Sequence, residues 1–332
     1  MQTPHVLFVV VAYGIFVLWG AQAQTFTTFS VPGAAQTLES GINDKGEVAG
    51  NWVDAAGVYH GYVRDASGVI IPFDPPGSIY TYVFGLNSAG AVVGQCTDEK
   101  GTHGFLRDAG GAFEIFDFPD AYQTGPTSIN KTGVIAGFWE NYAGGYQGFI
   151  RTPSGTFTSI TIPGSPYIYP AALNSLGFVT GNIDNGDGFN ELFVRGPGGK
   201  VAISNPKSVT TSYGTSISDR GDIGGYVTNY DHDYFTRALV RGAHGQATVF
   251  QVSGSSNTQV FGINQSGTAT GTYTDRTSGY YRGFSRSADG SIVLIDVPGY
   301  LNTEPGSINA SGVIAGNCSS SASTTVGFIY TP

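Results

Sequence analysis

Ile42-Asn43-Asp44-Lys45-Gly46-Glu47-Val48-Ala49-Gly50 is the stretch on which the fold turns. Its pattern is Ile or Leu, Asn, two variable residues, Gly, three residues and a second Gly, and it returns from Leu86, Ile129, Leu173, Ile217, Ile263 and Ile308. Every copy keeps both glycines, and only the fifth replaces Asn, by Ser218. Successive copies start 44, 43, 44, 44, 46 and 45 residues apart along a chain of 332. So regular a period identifies a repeat architecture and outranks any local motif.

Working outward from the phrase, repeat 2 reads as four short strands over 81–87, 91–97, 102–107 and 112–117, separated by Gly, Asp and Asn turns. That is a β-meander. Asn-x-x-Gly suits the first hairpin, because the Asn side chain caps the turn and Gly accepts a positive φ. The second Gly falls inside the next strand, where a missing side chain is expected to admit a neighbouring sheet. The third strand has its own signature, as in Gly104-Phe105-Leu106-Arg107 and Gly148-Phe149-Ile150-Arg151. Its large apolar residue is expected to anchor the core, and its Arg, present in six repeats, to be solvated or turn-bonding rather than part of an anion-binding ring. The fourth strand ends in a Pro-Gly-like corner such as Phe73-Asp74-Pro75-Pro76-Gly77, which marks the outer strand.

The two ends of the chain complement each other. The last repeat stops after its third strand, whereas residues 25–33 match the fourth strand and corner at 156–164. The expected fold is therefore all-β: a seven-bladed β-propeller of four-stranded antiparallel blades over 24–332, closed by the N-terminal strand completing the last blade. An open solenoid would need capping repeats, and none is visible.

Composition agrees with turns and strands: 50 Gly, 19 Tyr and 21 Phe against only 12% charged residues. A net charge of -9 argues against nucleic acid or anionic membrane as partner. Residues 6–19 form an apolar run followed by Ala21-Gln22-Ala23, the pattern of a secretory signal peptide over 1–23. A secreted, extracellular or periplasmic monomer without a transmembrane domain in the mature chain is expected; an uncleaved N-terminal anchor is the alternative, since the leader lacks Lys and Arg. Cys96 and Cys318 occupy the same place in repeats 2 and 7, with repeat 1 between them on a ring, beyond the ~7 Å limit for bridging. They are expected to be unpaired and half-buried.

The phrase followed by His-Gly-aromatic, as at His60-Gly61-Tyr62 and His103-Gly104-Phe105, resembles the bacterial extracellular HAF repeats, and the resemblance covers residues 24–332. It implies a propeller-like fold and says little about function. Repeats 3 to 7 lack the His, so it implies no ring of histidines.

Chemistry is expected in the loops. The outer-to-inner connections carry Thr37, Thr81, Thr124, Ile168, Ser212, Thr258 and Thr303, whose hydroxyls either cap the loops or line a channel mouth. The same connections are aromatic on one side, at Tyr80, Tyr82, Tyr122, Tyr167, Tyr169 and Tyr213, and polar on the other, at Gln259 and Glu304 among others. Rings beside amides and a carboxylate suit a sugar, so these residues are the candidate ligand site; packing between blades is the competing reading. Asp184 and Asp187 in Asp184-Asn185-Gly186-Asp187-Gly188 offer the only metal reading, a Ca²⁺ loop, against an ordinary turn. No other cofactor is expected. No nucleophile elbow, P-loop or dinucleotide fingerprint is present. The sequence thus points to a binding or scaffold module for extracellular polysaccharide or a protein. The alternatives are a carbohydrate-active enzyme such as a polysaccharide lyase, with His232 or a tyrosine as base, and a structural envelope protein.

Overall fold

The computed structural model describes residues 24–332 apart from 143, 185, 187, 205, 207, 208, 230–233, 322 and 323. The leader expected over 1–23 lies outside the described residues. Each phrase folds as the hairpin its residues dictate. In repeat 1, Gly46 N–H donates to Asn43 O, Asn43 Oδ1 accepts from the Lys45 and Glu47 N–H groups at 3.0 Å each, and Gly46 adopts φ 80°. The side chain supplies the turn with the acceptors it lacks, and Gly takes the left-handed position without a Cβ clash.

These hairpins generate 28 strands and no helix among the described residues. Strand β1 is Thr25–Phe29; repeat 1 supplies β2 to β5 (Gln36–Ile42, Val48–Val53, Tyr59–Arg64, Ile70–Phe73) and repeat 2 supplies β6 to β9 (Tyr80–Leu86, Val92–Asp98, Gly101–Arg107, Phe113–Phe116). Repeat 3 has β10 to β13 (Gln123–Ile129, Ile135–Glu140, Tyr146–Arg151, Phe157–Ile160) and repeat 4 has β14 to β17 (Tyr167–Leu173, Val179–Asp184, Asn190–Arg195, Val201–Ile203). Repeat 5 has β18 to β21 (Thr211–Ile217, Ile223–Thr228, Thr236–Arg241, Ala247–Phe250) and repeat 6 has β22 to β25 (Ser255–Ile263, Ala269–Asp275, Tyr281–Arg286, Ile292–Ile295). Repeat 7 ends with β26 to β28 (Asn302–Ile308, Ile314–Ser321, Thr324–Thr331). Each full set is an antiparallel meander, with its fourth strand bonded only to its third. Strand β1 pairs antiparallel with β28, from Thr25 opposite Thr331 to Phe29 opposite Gly327.

The repeated Asn does more than cap. Its amide nitrogen crosses to the next repeat: Asn43 to Asn87 O, Asn87 to Asn130 O, Asn130 to Asn174 O and Asn174 to Ser218 O, at 2.9–3.1 Å. Asn264 donates to Asn309 O at 3.1 Å, and Asn309 to Asn43 O at 3.2 Å. The sequons at Asn130, Asn264 and Asn309 therefore use the glycan-accepting nitrogen in buried hydrogen bonds. Only Ser218 interrupts the series, because its Oγ accepts from Asp222 N–H and it has no amide to extend. Ser218→Asn is expected to raise stability by about 1 kcal/mol, the worth of one buried hydrogen bond. A higher urea midpoint with an unchanged slope would bear this out, and an unchanged or lower midpoint would refute it.

The second glycine corrects the expectation. A Cβ at Gly50, Gly94, Gly181, Gly225 or Gly271 would overlap a carbonyl oxygen of the inner strand of the same sheet, opposite a β-bulge such as that between Gly214 and Ser216. The close approach is within one meander, because the bulge folds the inner strand's carbonyl toward its partner. It is not made by a neighbouring sheet.

The core lies between consecutive sheets. Tyr62, Phe105, Phe149, Phe193, Leu239, Phe284 and Phe328, the anchors of the third strands, are at most 1% exposed. One cluster joins Ala49 and Phe73 of repeat 1 to Val83, Val92, Cys96 and Phe105 of repeat 2, and another joins Val31, Ile42, Val48 and Tyr62 to Ala315 of repeat 7. Cys96 and Cys318 are unpaired as expected but fully buried rather than half-buried. Burial pushes their thiols up to about 11 and about 12, which keeps them protonated and inert.

Four of the six arginines are turn-bonding, and half of the six are not solvated. Arg64, Arg107 and Arg151 are only 3–9% exposed. Arg64, Arg107, Arg195 and Arg286 donate to the carbonyl of the following residue at 3.1–3.4 Å. Four guanidinium groups also lie over a phenylalanine of the preceding outer strand: Arg64 on Phe29, Arg107 on Phe73, Arg151 on Phe116 and Arg286 on Phe250, 4.4–5.1 Å from the ring centroids. A planar cation stacks on a ring while keeping its edge donors for the turn.

Candidate functional site

The start of each third strand meets the connection that opens the next repeat. Tyr59 lies 5.0 Å from Tyr82 between ring centroids, and Gln147 Nε2 donates to Pro166 O. Asn190 Nδ2 donates to Tyr213 Oη, while Thr236 N–H donates to Asn257 Oδ1 and Tyr281 N–H to Asn302 Oδ1. Parallel bridges join Thr102 to Gln123 and Thr325 to Gln36. One end of the sheets thus gathers the tyrosines and amides singled out in the sequence.

In repeats 2 to 4 this end is an aromatic rim. Tyr80, Tyr122, Tyr167 and Tyr169 are 39–57% exposed, and Tyr82 is half-buried. Tyr122 meets the still more exposed Tyr142 edge-on at 5.3 Å, and Tyr169 stacks on Phe138 at 5.1 Å, with Tyr146 edge-on to Phe138 at 5.2 Å. Burial, then the neighbouring Tyr146, raises the Tyr169 hydroxyl's pKa; burial, then Tyr59 and Tyr80, does so for Tyr82. These phenols stay neutral and present both π-faces and hydroxyls. Tyr213 is not part of this rim: it is half-buried and stacks at 4.6 Å on Tyr226, its cross-strand neighbour in the same sheet.

The polar side is separate. Gln259 lines a cavity of about 190 Å³ with Asn257, Thr236, Thr272, Tyr273 and Tyr281. Glu304 is half-buried, opposite Asn317 across its hairpin, and burial raises its pKa. Sequence reasoning missed Tyr59, Tyr142, Tyr146 and Phe138. The signal was available for Tyr59 and Tyr146, which open third strands and so fall beside the next repeat's connection.

The other candidates resolve into structural roles. The six connection hydroxyls are fully buried, and four of them cap the preceding corner: Thr37 accepts from Val31 N–H, Thr124 from Phe118 N–H, Thr258 from Val252 N–H and Thr303 from Val297 N–H, at 2.9–3.2 Å. They do not line a channel mouth. Asp184 Oδ1 accepts from the Gly186 and Gly188 N–H groups, the ordinary turn, and no three metal-ligating side chains converge among the described residues. Asp187 and Asp231-His232-Asp233 lie outside the described residues.

His60 and His103 pin the third strand to the fourth. His60 Nδ1 is 2.7 Å from Asp74, and His103 Nδ1 is 2.9 Å from Asp117, while the Nε2 atoms face Asp54 at 3.7 Å and Asp98 at 3.2 Å. Burial draws the pKa of His103 down, but the hydrogen bonds and charges of Asp117 and Asp98 outweigh it and leave it raised. Arg282 and Asp296 make the same link in repeat 6, 2.6 Å apart, so the position serves to tie the two strands together.

No family model and no curated protein matches this sequence. Solved structures do. A catalytically inactive variant of virginiamycin B lyase from Staphylococcus aureus, with quinupristin, superposes with a TM-score of 0.64 at 13% identity over 93% of this chain and 100% of that one. The β-propeller domain of the Trilobed protease from Pyrococcus furiosus, with an open velcro topology, gives 0.60 at 12% over 89% and 95%. TolB from Acinetobacter baumannii gives 0.53 at 12% over 75% and 63%. At these identities the likeness concerns the fold alone: an all-β, propeller-like module of four-stranded sheets.

Proposed function

We propose that this chain is a closed seven-bladed propeller, exported from the cell, whose aromatic rim binds extracellular glycan. Closure is supported by four contacts at the chain ends, each of a kind that recurs in other repeats. Strand β1 pairs with β28, Phe29 lies over Gly327 as Phe73 does over Gly61, Arg64 stacks on Phe29, and Asn309 bonds to Asn43. The extracellular setting rests on the leader-like N-terminus and the likeness to HAF repeats.

The observation that carries the binding reading is the exposure of Tyr80, Tyr122, Tyr142, Tyr167 and Tyr169 together at one end of repeats 2 to 4. Such rings are seldom left in water without a partner, and sugar C–H faces pack on them while hydroxyls meet amides. A shelf rather than a deep polar pocket favours binding over lyase chemistry. Titration against a panel of soluble bacterial and plant polysaccharides tests this. Tyr122→Ala with Tyr167→Ala is expected to weaken a bound glycan by roughly tenfold or more, about 1.4 kcal/mol, with little change in melting temperature because both rings are exposed. Absence of binding across the panel, or full affinity in the double variant, would overturn the reading.

A further inference from the structure

Four junctions place an arginine over an outer-strand phenylalanine and one of them adds a carboxylate, so a junction whose arginine has neither and borders a cavity is informative. Between repeats 2 and 3, Arg151 lies 4.4 Å from the Phe116 centroid and pairs with Glu114 of the same outer strand. Between repeats 4 and 5 the corresponding Arg241 has neither partner. Register places Val201 opposite Arg195 as Phe113 is opposite Arg107, so Ala202 stands at the Glu114 position and Ser204 at the Phe116 position. Arg241 Nε donates to Ser204 Oγ at 3.0 Å instead.

Beside Arg241 and Ala202 lies a cavity of about 280 Å³. Leu176, Phe178, Val194 and Ile217 give it an apolar floor, and Lys200 and Arg220 add positive charge at its margin. The acid on the lining, Asp219, is taken by Ser175, whose N–H and Oγ donate at 2.7 and 2.6 Å, and Arg220 is 3.6 Å from Asp222. Lys200 and Arg241 have no carboxylate partner among the described residues. The cleft combines an apolar wall with two cations that have no ion-pair partner among the described residues, at a place where a sister junction holds a carboxylate.

We propose that this cleft binds a small amphipathic carboxylate, a fatty or arylalkanoic acid, whose carboxylate takes the place of Glu114 opposite Arg241 and whose apolar chain lies on the Leu176 and Phe178 wall. Charge-assisted hydrogen bonds to a guanidinium supply the selectivity, and the wall supplies the affinity. The site is independent of the tyrosine rim.

Calorimetric titration of the full chain with octanoate tests it, with octanol as the uncharged control. Octanoate is expected to bind roughly tenfold or more tightly than octanol, and more weakly as salt rises. Ala202→Glu places the missing carboxylate inside the cleft and is expected to remove octanoate binding with the fold intact by circular dichroism. Leu176→Glu, at a 60% exposed position where folding is not at risk, is expected to weaken it as well. No binding at millimolar octanoate, equal affinity for octanol, or undiminished affinity in either folded variant would overturn the proposal.

Discussion

Gly225→Ala is expected to destabilise the protein by about 4 kcal/mol or prevent its folding, far more than Gly221→Ala in the same phrase. The atoms nearest a Cβ at Gly225 are all backbone: the Tyr213 carbonyl, which it would overlap, and Gly214 Cα. Relief would require the bulge in β18 to move, and β18 packs between the sheets of repeats 4 and 6. Close-packed interiors do not yield locally, so the strain spreads into two junctions. At Gly221 the difficulty is only conformational. Its φ of 89° costs an alanine about 1–2 kcal/mol, and the nearest atom, Ala243 Cβ at 3.3 Å, lies at the surface end of a hairpin. Urea unfolding of the two variants decides the matter: a Gly225→Ala cost no larger than that of Gly221→Ala would refute the bulge account.

The second large effect is a pH dependence at Glu39. Six repeats place Val83, Pro126, Pro170, Gly214, Val260 or Pro305 at this point of the inner strand, and repeat 1 places a carboxyl group there. Ser307 Oγ donates to it across the junction with repeat 7, Asn317 Oδ1 accepts from its backbone N–H, and its charge pushes the buried Tyr62 hydroxyl up further. Burial raises the carboxyl from 4.5 to about 7, and the Ser307 hydrogen bond only partly opposes this. The folded state therefore holds the proton more tightly than the unfolded one. Stability from this group is complete below pH 4.5 and declines as the pH rises from there through about 7, by up to about 3 kcal/mol.

Glu39→Gln keeps an acceptor for Ser307 and removes the titration. The variant is expected to gain up to about 3 kcal/mol over the parent at pH 8 and almost nothing at pH 4.5. Unfolding free energies across that range test it, since the other titrating groups cancel in the difference. A difference independent of pH would sink the assignment.

What could be read in advance followed from the range of the interactions. The hairpin at Asn43 and Gly46 closes within four residues, so its chemistry is written in the phrase itself. The positive φ glycines, the third-strand anchors and the unpaired cysteines were legible for the same reason, helped by the repeat. The candidate site was half legible. The connections supplied Tyr80, Tyr122, Tyr167 and Tyr169, but Tyr142 comes from a second-to-third-strand loop whose proximity depends on how the hairpin ends fold together. Tyr213 showed the same tyrosine signal and stacks on Tyr226.

The sequence by itself determined the repeating unit, its turns, its strand order and the complementarity of the chain ends, because these depend on neighbours along the chain and on a period of about 45 residues. Tertiary structure alone decided that the second glycine serves its own sheet, that arginine stacks on the preceding outer strand, that Glu39 is buried against Ser307, and that Ala202 leaves a cleft beside Arg241. Those contacts join residues from 12 to 268 positions apart, such as Gly225 with Tyr213 and Ser307 with Glu39. Their energies come from burial and from charges meeting across a junction, quantities that no single strand contains.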